Sequence, residues 1–79
     1  MPTLLRIDGF RFFFYANEGS EPAHIHVRKA EGEAKFWLTP NVSLGWVRGF
    51  SPSTIAVLLT LVRENRFFLL EKWNEFFAS

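Results

Sequence analysis

Two histidines, His24 and His26, flank one isoleucine, and in an extended strand both imidazoles would stand on one side. Three chemistries compete for such a pair. As metal ligands they need at least a third protein donor, and only Glu18, Glu21 and Asp8 are at hand. No metal ligand set and no cofactor is assigned from sequence. As general acid and base, with Arg28 and Lys35 stabilising an anionic transition state, they would suit metal-independent cleavage of RNA through its 2′-hydroxyl. As structural groups, they would bond to a loop carboxylate such as Glu21. There is no nucleophilic triad, no glycine-rich phosphate loop and no carboxylate pair at a useful spacing.

The elements that must position these groups are short strands. Thr3 to Ile7 and Phe10 to Ala16 flank Asp8-Gly9, a dipeptide suited to a two-residue hairpin because both central positions need positive φ. Asn17 to Pro22 reads as a loop. His24 to Ala30 and Glu33 to Leu38 flank Glu31-Gly32, the second expected tight turn. Thr39-Pro40-Asn41 ends that strand, and Val42 to Val47 is a fifth, weaker strand or a loop, since Gly45 weakens a strand interior. Ser51-Pro52 reads as a hydroxyl N-cap followed by proline at the first helical position. From there Ile55, Leu58, Leu59, Val62, Arg66, Leu69, Leu70, Trp73 and Phe77 keep a helical period.

The expectation is an α+β chain: a small antiparallel meander of four or five strands with one long C-terminal helix on one face. That helix would run roughly 40 Å, against about 20 Å for the strands. Its end, with Trp73, Phe76 and Phe77, would then need a surface beyond the sheet. Val57, Leu61 and Phe68 form a second apolar stripe, read either as a wide core face or as a partner contact.

Minimal hairpins sort the side chains. With Glu31-Gly32 as the turn, Arg28 opposes Lys35, Val27 opposes Phe36 and His26 opposes Trp37; the first hairpin pairs Arg6 with Arg11. One face collects Leu5, Ile7, Phe10, Phe12, Phe14, Ile25, Val27, Phe36 and Leu38, the seat for the helix. The other collects Leu4, Arg6, Arg11, Phe13, Tyr15, His24, His26, Arg28, Lys35 and Trp37. Like charges directly opposite one another are destabilising without an anion between them. Cations interleaved with rings suit single-stranded nucleic acid. Two readings stand for that face: Glu18, Glu21, Glu33 or Asp8 neutralises it and a second subunit covers the rings, or it binds RNA through Arg6, Arg11, Tyr15, Glu21 and Trp37.

The length of 79 residues admits one domain, 1–79, with a marginal core. Ten Phe, three Trp and one Tyr are more ring area than such a core readily hides, so a homo- or hetero-oligomer is expected. The lack of Cys excludes disulfides and cysteine-based zinc sites and fits a reducing, cytoplasmic setting. Met1-Pro2-Thr3 does not open a signal peptide, and the apolar run Ile55 to Val62 is too short to cross a membrane. A net charge of +1 gives no global pull toward nucleic acid, so any electrostatic argument is local.

The segment Asn17-Glu18-Gly19-Ser20-Glu21-Pro22-Ala23-His24-Ile25-His26-Val27-Arg28 resembles the bacterial domain-of-unknown-function 4160 family, which shows N-E-G-x-E-P-P-H-[IV]-H-V there. Gly32 to Leu38 is similar to its G-E-A-K-F-W-L stretch, and Asn65-Arg66 through Leu69, Leu70 and Trp73 to its helical N-R-x-x-L-L-x-x-W. Ile7 to Tyr15 fits as well. Ala23 departs from the second proline, and 41–48 is less typical. The resemblance implies no established activity. It implies the toxin side of a toxin–antitoxin pair, with a small antitoxin-like partner and RNA as the target. On the motif it draws attention to Glu18, Glu21, Pro22, His24, His26, Arg28, Lys35 and Trp37.

Overall fold

A computed structural model describes residues 3–78. Met1 and Pro2, on which the reading of the N-terminus partly rests, and Ser79 lie outside them. Five strands, β1 (Thr3–Ile7), β2 (Phe10–Phe13), β3 (His24–Lys29), β4 (Gly32–Trp37) and β5 (Ser43–Arg48), are followed by α1 (Pro52–Glu64) and α2 (Arg66–Phe77). The strands form one antiparallel meander in the order β1-β2-β3-β4-β5, with the fifth strand realised. No helix of the described residues is long and apolar enough to cross a membrane.

Alternation sorts the sheet as expected. Phe12, Phe14, Ile25, Val27, Ala34, Phe36 and Leu38 are buried on one face beneath Leu58 and Val62 of α1 and Leu69 and Trp73 of α2. Leu5 and Ile7 pack at the margin of this cluster. Each fully buried large side chain contributes about 1.5–3 kcal/mol relative to exposure.

Two registers differ from the minimal-hairpin reading. The second turn falls on Ala30-Glu31, so Lys29 pairs with Gly32, Arg28 with Glu33, Val27 with Ala34 and His26 with Lys35. Glycine is needed at position 32 for a different reason than a turn: a Cβ there would run into the Phe50 ring. The positive φ falls instead on Ala30, at 53°. Because the turn moves by one residue, the pairing slips by two, and both faces are preserved. In the first hairpin Arg6 does pair with Arg11, but a bulge between Thr3 and Leu5 turns Leu4 away from the basic face and onto the apolar cluster.

The long helix is two. Ser51 caps α1 by accepting from the Thr54 amide at 3.2 Å, with Pro52 in the first turn, as the sequence predicts. The helical path is interrupted at Asn65, whose φ of −106° and ψ of 13° leave the helical range. Its side-chain Nδ2 donates to the Leu61 carbonyl at 2.8 Å, the local competition that makes asparagine a poor helix interior residue. Arg66 then fixes the new direction: Nε donates to the Leu38 carbonyl at 2.7 Å and an Nη to the Pro40 carbonyl at 3.2 Å. The bend brings Trp73, Phe76 and Phe77 back onto Phe14, with ring centroids 5.1–5.4 Å apart. Phe77 also covers Gly19, where any side chain would collide with its ring. The aromatic end of the helix therefore finds its surface within the chain, not beyond the sheet.

Truncation of the fully buried Phe36 to alanine is expected to cost about 3–5 kcal/mol, whereas Phe67→Ser, at a position 84% exposed, should stay within about 0.5 kcal/mol. Urea unfolding of the two variants measures the contrast; comparable losses would mean that α2 packs differently.

Candidate functional site

The face of the sheet away from the helices carries its polar residues in rows that run across the strands. One row is Arg6, Arg11, Arg28, Glu33 and Arg48, each directly opposite the next from β1 to β5. It crosses four inter-strand steps, roughly 19 Å at ~4.8 Å each. The next row is Phe13, His26, Lys35 and Trp46. Beyond it lie His24 and Trp37, also cross-strand partners, with Tyr15 just past the end of β2.

Carboxylates thread between these groups. Glu33, itself buried, accepts from an Arg48 Nη at 3.3 Å, faces Arg28 Nε at 3.8 Å through the same oxygen, and takes the Tyr15 hydroxyl at 3.2 Å on the other. The expected Arg28–Lys35 opposition is thus replaced by an ion pair. Lys35, 9% exposed, donates to Glu21 Oε1 at 2.6 Å and lies over the Trp37 ring. Asp8 contributes its backbone carbonyl to Lys29, and its carboxylate enters no ion pair among the described residues. Arg6 and Arg11 have no carboxylate within 4.0 Å among the described residues; Arg11 instead lies over the Phe13 ring.

The histidines lie deeper than a solvent-facing pair. His24 is fully buried and His26 is 3% exposed. Phe13 stacks on His26 at 5.6 Å, Tyr15 meets it edge-on at 4.7 Å, and Trp73 reaches His24 around the end of the sheet at 4.8 Å. The 17–22 segment folds back so that Glu18, not Glu21, reaches both rings. Its turn is closed by the Glu18 amide donating to the Tyr15 carbonyl at 3.2 Å, while the Tyr15 amide donates to Glu18 Oε1 at 3.0 Å. Glu18 Oε1 lies 2.9 Å from His24 Nε2, and both carboxylate oxygens lie 3.0 Å from His26 Nε2. On the far side of each ring, His24 Nδ1 donates to the Pro22 carbonyl at 2.9 Å and His26 Nδ1 faces Glu33 Oε2 at 3.5 Å.

These contacts bias protonation. Burial works to raise the Glu18 carboxyl, but the two imidazoles and the Tyr15 amide hold it below its ordinary value. Burial pushes the His26 imidazole below its ordinary value, against the opposing pull of Glu18. Partial burial and the Glu33 carboxylate raise the Tyr15 hydroxyl.

Tyr15, His24, His26, Arg28, Lys35 and Trp37 thus share the outer face with Arg6 and Arg11, and Glu21 joins them through Lys35. The sequence reading did not single out Trp46 or Arg48, which complete two of the rows. Alternation along β5 carries that signal, but a bulge at Gly45 of β5, opposite Lys35 and Phe36, shifts its phase. A general acid–base role for His24 and His26 would require the Glu18 segment to lift away from them.

Glu21→Ala leaves the Lys35 ammonium buried without its carboxylate and is expected to cost about 1–3 kcal/mol, since Glu21 itself is 41% exposed. Adding Lys35→Met should recover most of the loss. A double-mutant cycle by urea unfolding reads the coupling, and one near zero would remove the pair from the account.

The comparisons with known proteins give one match. Residues 9–74 match a family described as a domain of unknown function, DUF4160. No curated protein and no solved structure matches. With that match over most of its length, and with the His-x-His strand, the Glu18 turn and the Asn65-Arg66 bend all falling inside it, the chain belongs to the DUF4160 family.

Proposed function

We propose that this chain binds single-stranded RNA on the outer face of its sheet, as the toxin-like member of a pair with a small partner protein. The observation that carries the reading is the row of four arginines across the sheet, interrupted only by the buried Glu33. Directly opposed like charges destabilise a sheet by themselves, and an anion laid across them relieves the repulsion. Arg6 is exposed, and the Arg28 and Arg48 side chains are 45% and 59% exposed, so the cations can reach phosphates. Trp46, 41% exposed in the adjacent row, offers a stacking surface for a base, with Tyr15 and Trp37 half-buried beyond it. The burial of both imidazoles supports binding over acid–base cleavage.

Fluorescence anisotropy with a short labelled single-stranded RNA, measured across a salt series, tests this. Arg11→Ala and Arg28→Ala should each weaken binding to all sequences alike and reduce the slope of log K against log salt by about 1. Trp46→Ala should cost about 1–3 kcal/mol with little change in slope. Unaltered affinity in the Arg11→Ala, Arg28→Ala double variant, or no binding at low salt, would overturn the reading.

A separate observation favours a protein partner as a second reading. β5 is an edge strand exposed along its whole length, with Leu44, Trp46 and Val47 each about 40% exposed. A partner strand added there would pair the open backbone and cover these side chains. Co-purification of an untagged neighbouring gene product, lost on Val47→Pro, would support it.

A further inference from the structure

We infer that Glu18, His24 and His26 form a binding site for a divalent first-row transition-metal ion, best suited to Zn2+. Their donor atoms, one carboxylate oxygen and two imidazole nitrogens, lie within 4.8 Å of one another. The hydrogen on the His24 ring has one place to go. Its Nδ1 is 2.9 Å from the Pro22 carbonyl oxygen, which can only accept, so the hydrogen sits on Nδ1. In the neutral ring Nε2 then carries a bare lone pair. That nitrogen is buried, lacks a hydrogen bond among the described residues, and lies only 2.9 Å from Glu18 Oε1. A lone pair held against a carboxylate oxygen in a buried site is repulsive unless a positive centre lies between them.

His26 differs in that its Nε2 is hydrogen-bonded to the same carboxylate, while its buried Nδ1 makes no hydrogen bond among the described residues and faces Glu33 Oε2 at 3.5 Å. When the His26 hydrogen sits on Nδ1, toward Glu33, its Nε2 is free to ligate. Metal-binding histidines characteristically direct the other ring N–H to a backbone carbonyl or a carboxylate, which fixes the tautomer and orients the ring. Here His24 Nδ1 bonds to a backbone carbonyl, and His26 Nδ1 faces a carboxylate at 3.5 Å, within reach of a small closure. Glu33 is in turn held by Tyr15 and Arg48, and Glu18 by the Tyr15 amide, so the donors are supported from behind.

Donors at ~2.0–2.1 Å from a common ion stand roughly 3–3.5 Å apart; the two contacts from Glu18 to the imidazoles, at 2.9–3.0 Å, are close to that spacing, and all three donor atoms lie within 4.8 Å of one another. Two imidazoles with a carboxylate, and no thiolate, suit Zn2+, Fe2+ or Co2+ over the softer or harder ions. Three protein donors leave a four-coordinate ion one position for water or an anionic oxygen. Binding would also clamp the 17–22 segment to the sheet, whether or not RNA binds elsewhere on the face.

Untagged, chelator-treated protein titrated with Co2+ and followed by its visible absorption tests the site. The expected result is saturation at one ion per chain, displacement by Zn2+, and a rise in melting temperature on loading. Glu18→Gln, at a partly exposed position that keeps its size, should weaken the affinity by at least ~10-fold. His24→Ala should abolish saturable binding where circular dichroism shows the variant folded. Absence of one-to-one binding by the wild-type chain, or unchanged affinity in Glu18→Gln, would overturn the assignment.

Discussion

Across an antiparallel sheet, directly opposed residues point to the same side, and along each strand the sides alternate. Everything chemical in this chain depends on that alternation staying in phase from β2 to β4. Phe12 opposite Val27, and Ile25 opposite Phe36, fix the phase through the apolar side, where a slip of one residue would push phenylalanines into water. The core therefore holds the arginine row and the histidines in place on the opposite face. No polar residue has to specify its own position; the burial of Phe12, Ile25, Val27 and Phe36 does it for them.

That dependence explains what the sequence disclosed. Face membership was legible because it needs only parity, and the parity survives the displacement of the second turn from Glu31-Gly32 to Ala30-Glu31. Pairing partners were not legible to the same degree. Glycine at position 32 looked like a turn residue, whereas its lack of a side chain is needed where the Phe50 ring lies against it. Helical periodicity from Ile55 to Phe77 was real, yet it cannot register a change of axis, because Asn65 interrupts the path without disturbing the spacing of Leu58, Val62, Leu69 and Trp73. Which of Glu18 and Glu21 meets the histidines was out of reach for another reason: it depends on the path of a turn within the 17–22 segment, which no period describes.

The electrostatics of the outer face follow from where its few carboxylates are placed. Glu33 is buried while its partners Arg28 and Arg48 stay exposed, so it anchors two guanidinium groups without masking them. Glu18 is turned toward the imidazoles and Glu21 toward the one buried ammonium. A chain of nearly balanced formal charge can in this way display a cationic stripe. On this face Glu18 and Glu21 are taken up by buried partners and Glu33 is itself buried, while Arg6, Arg28 and Arg48 remain at the surface.

The two hydrogen bonds from Arg66 to the Leu38 and Pro40 carbonyls make the stretch between β4 and β5 a fulcrum for the C-terminal helix. Its span sets the angle at which α2 departs, and thereby whether the far arm lands on Phe14 and Gly19 some three turns later. Lengthening that connector by a residue would be carried along α2 to Trp73, which shields His24. The length of the connector and solvent access to His24 are in this way mechanically linked through α2.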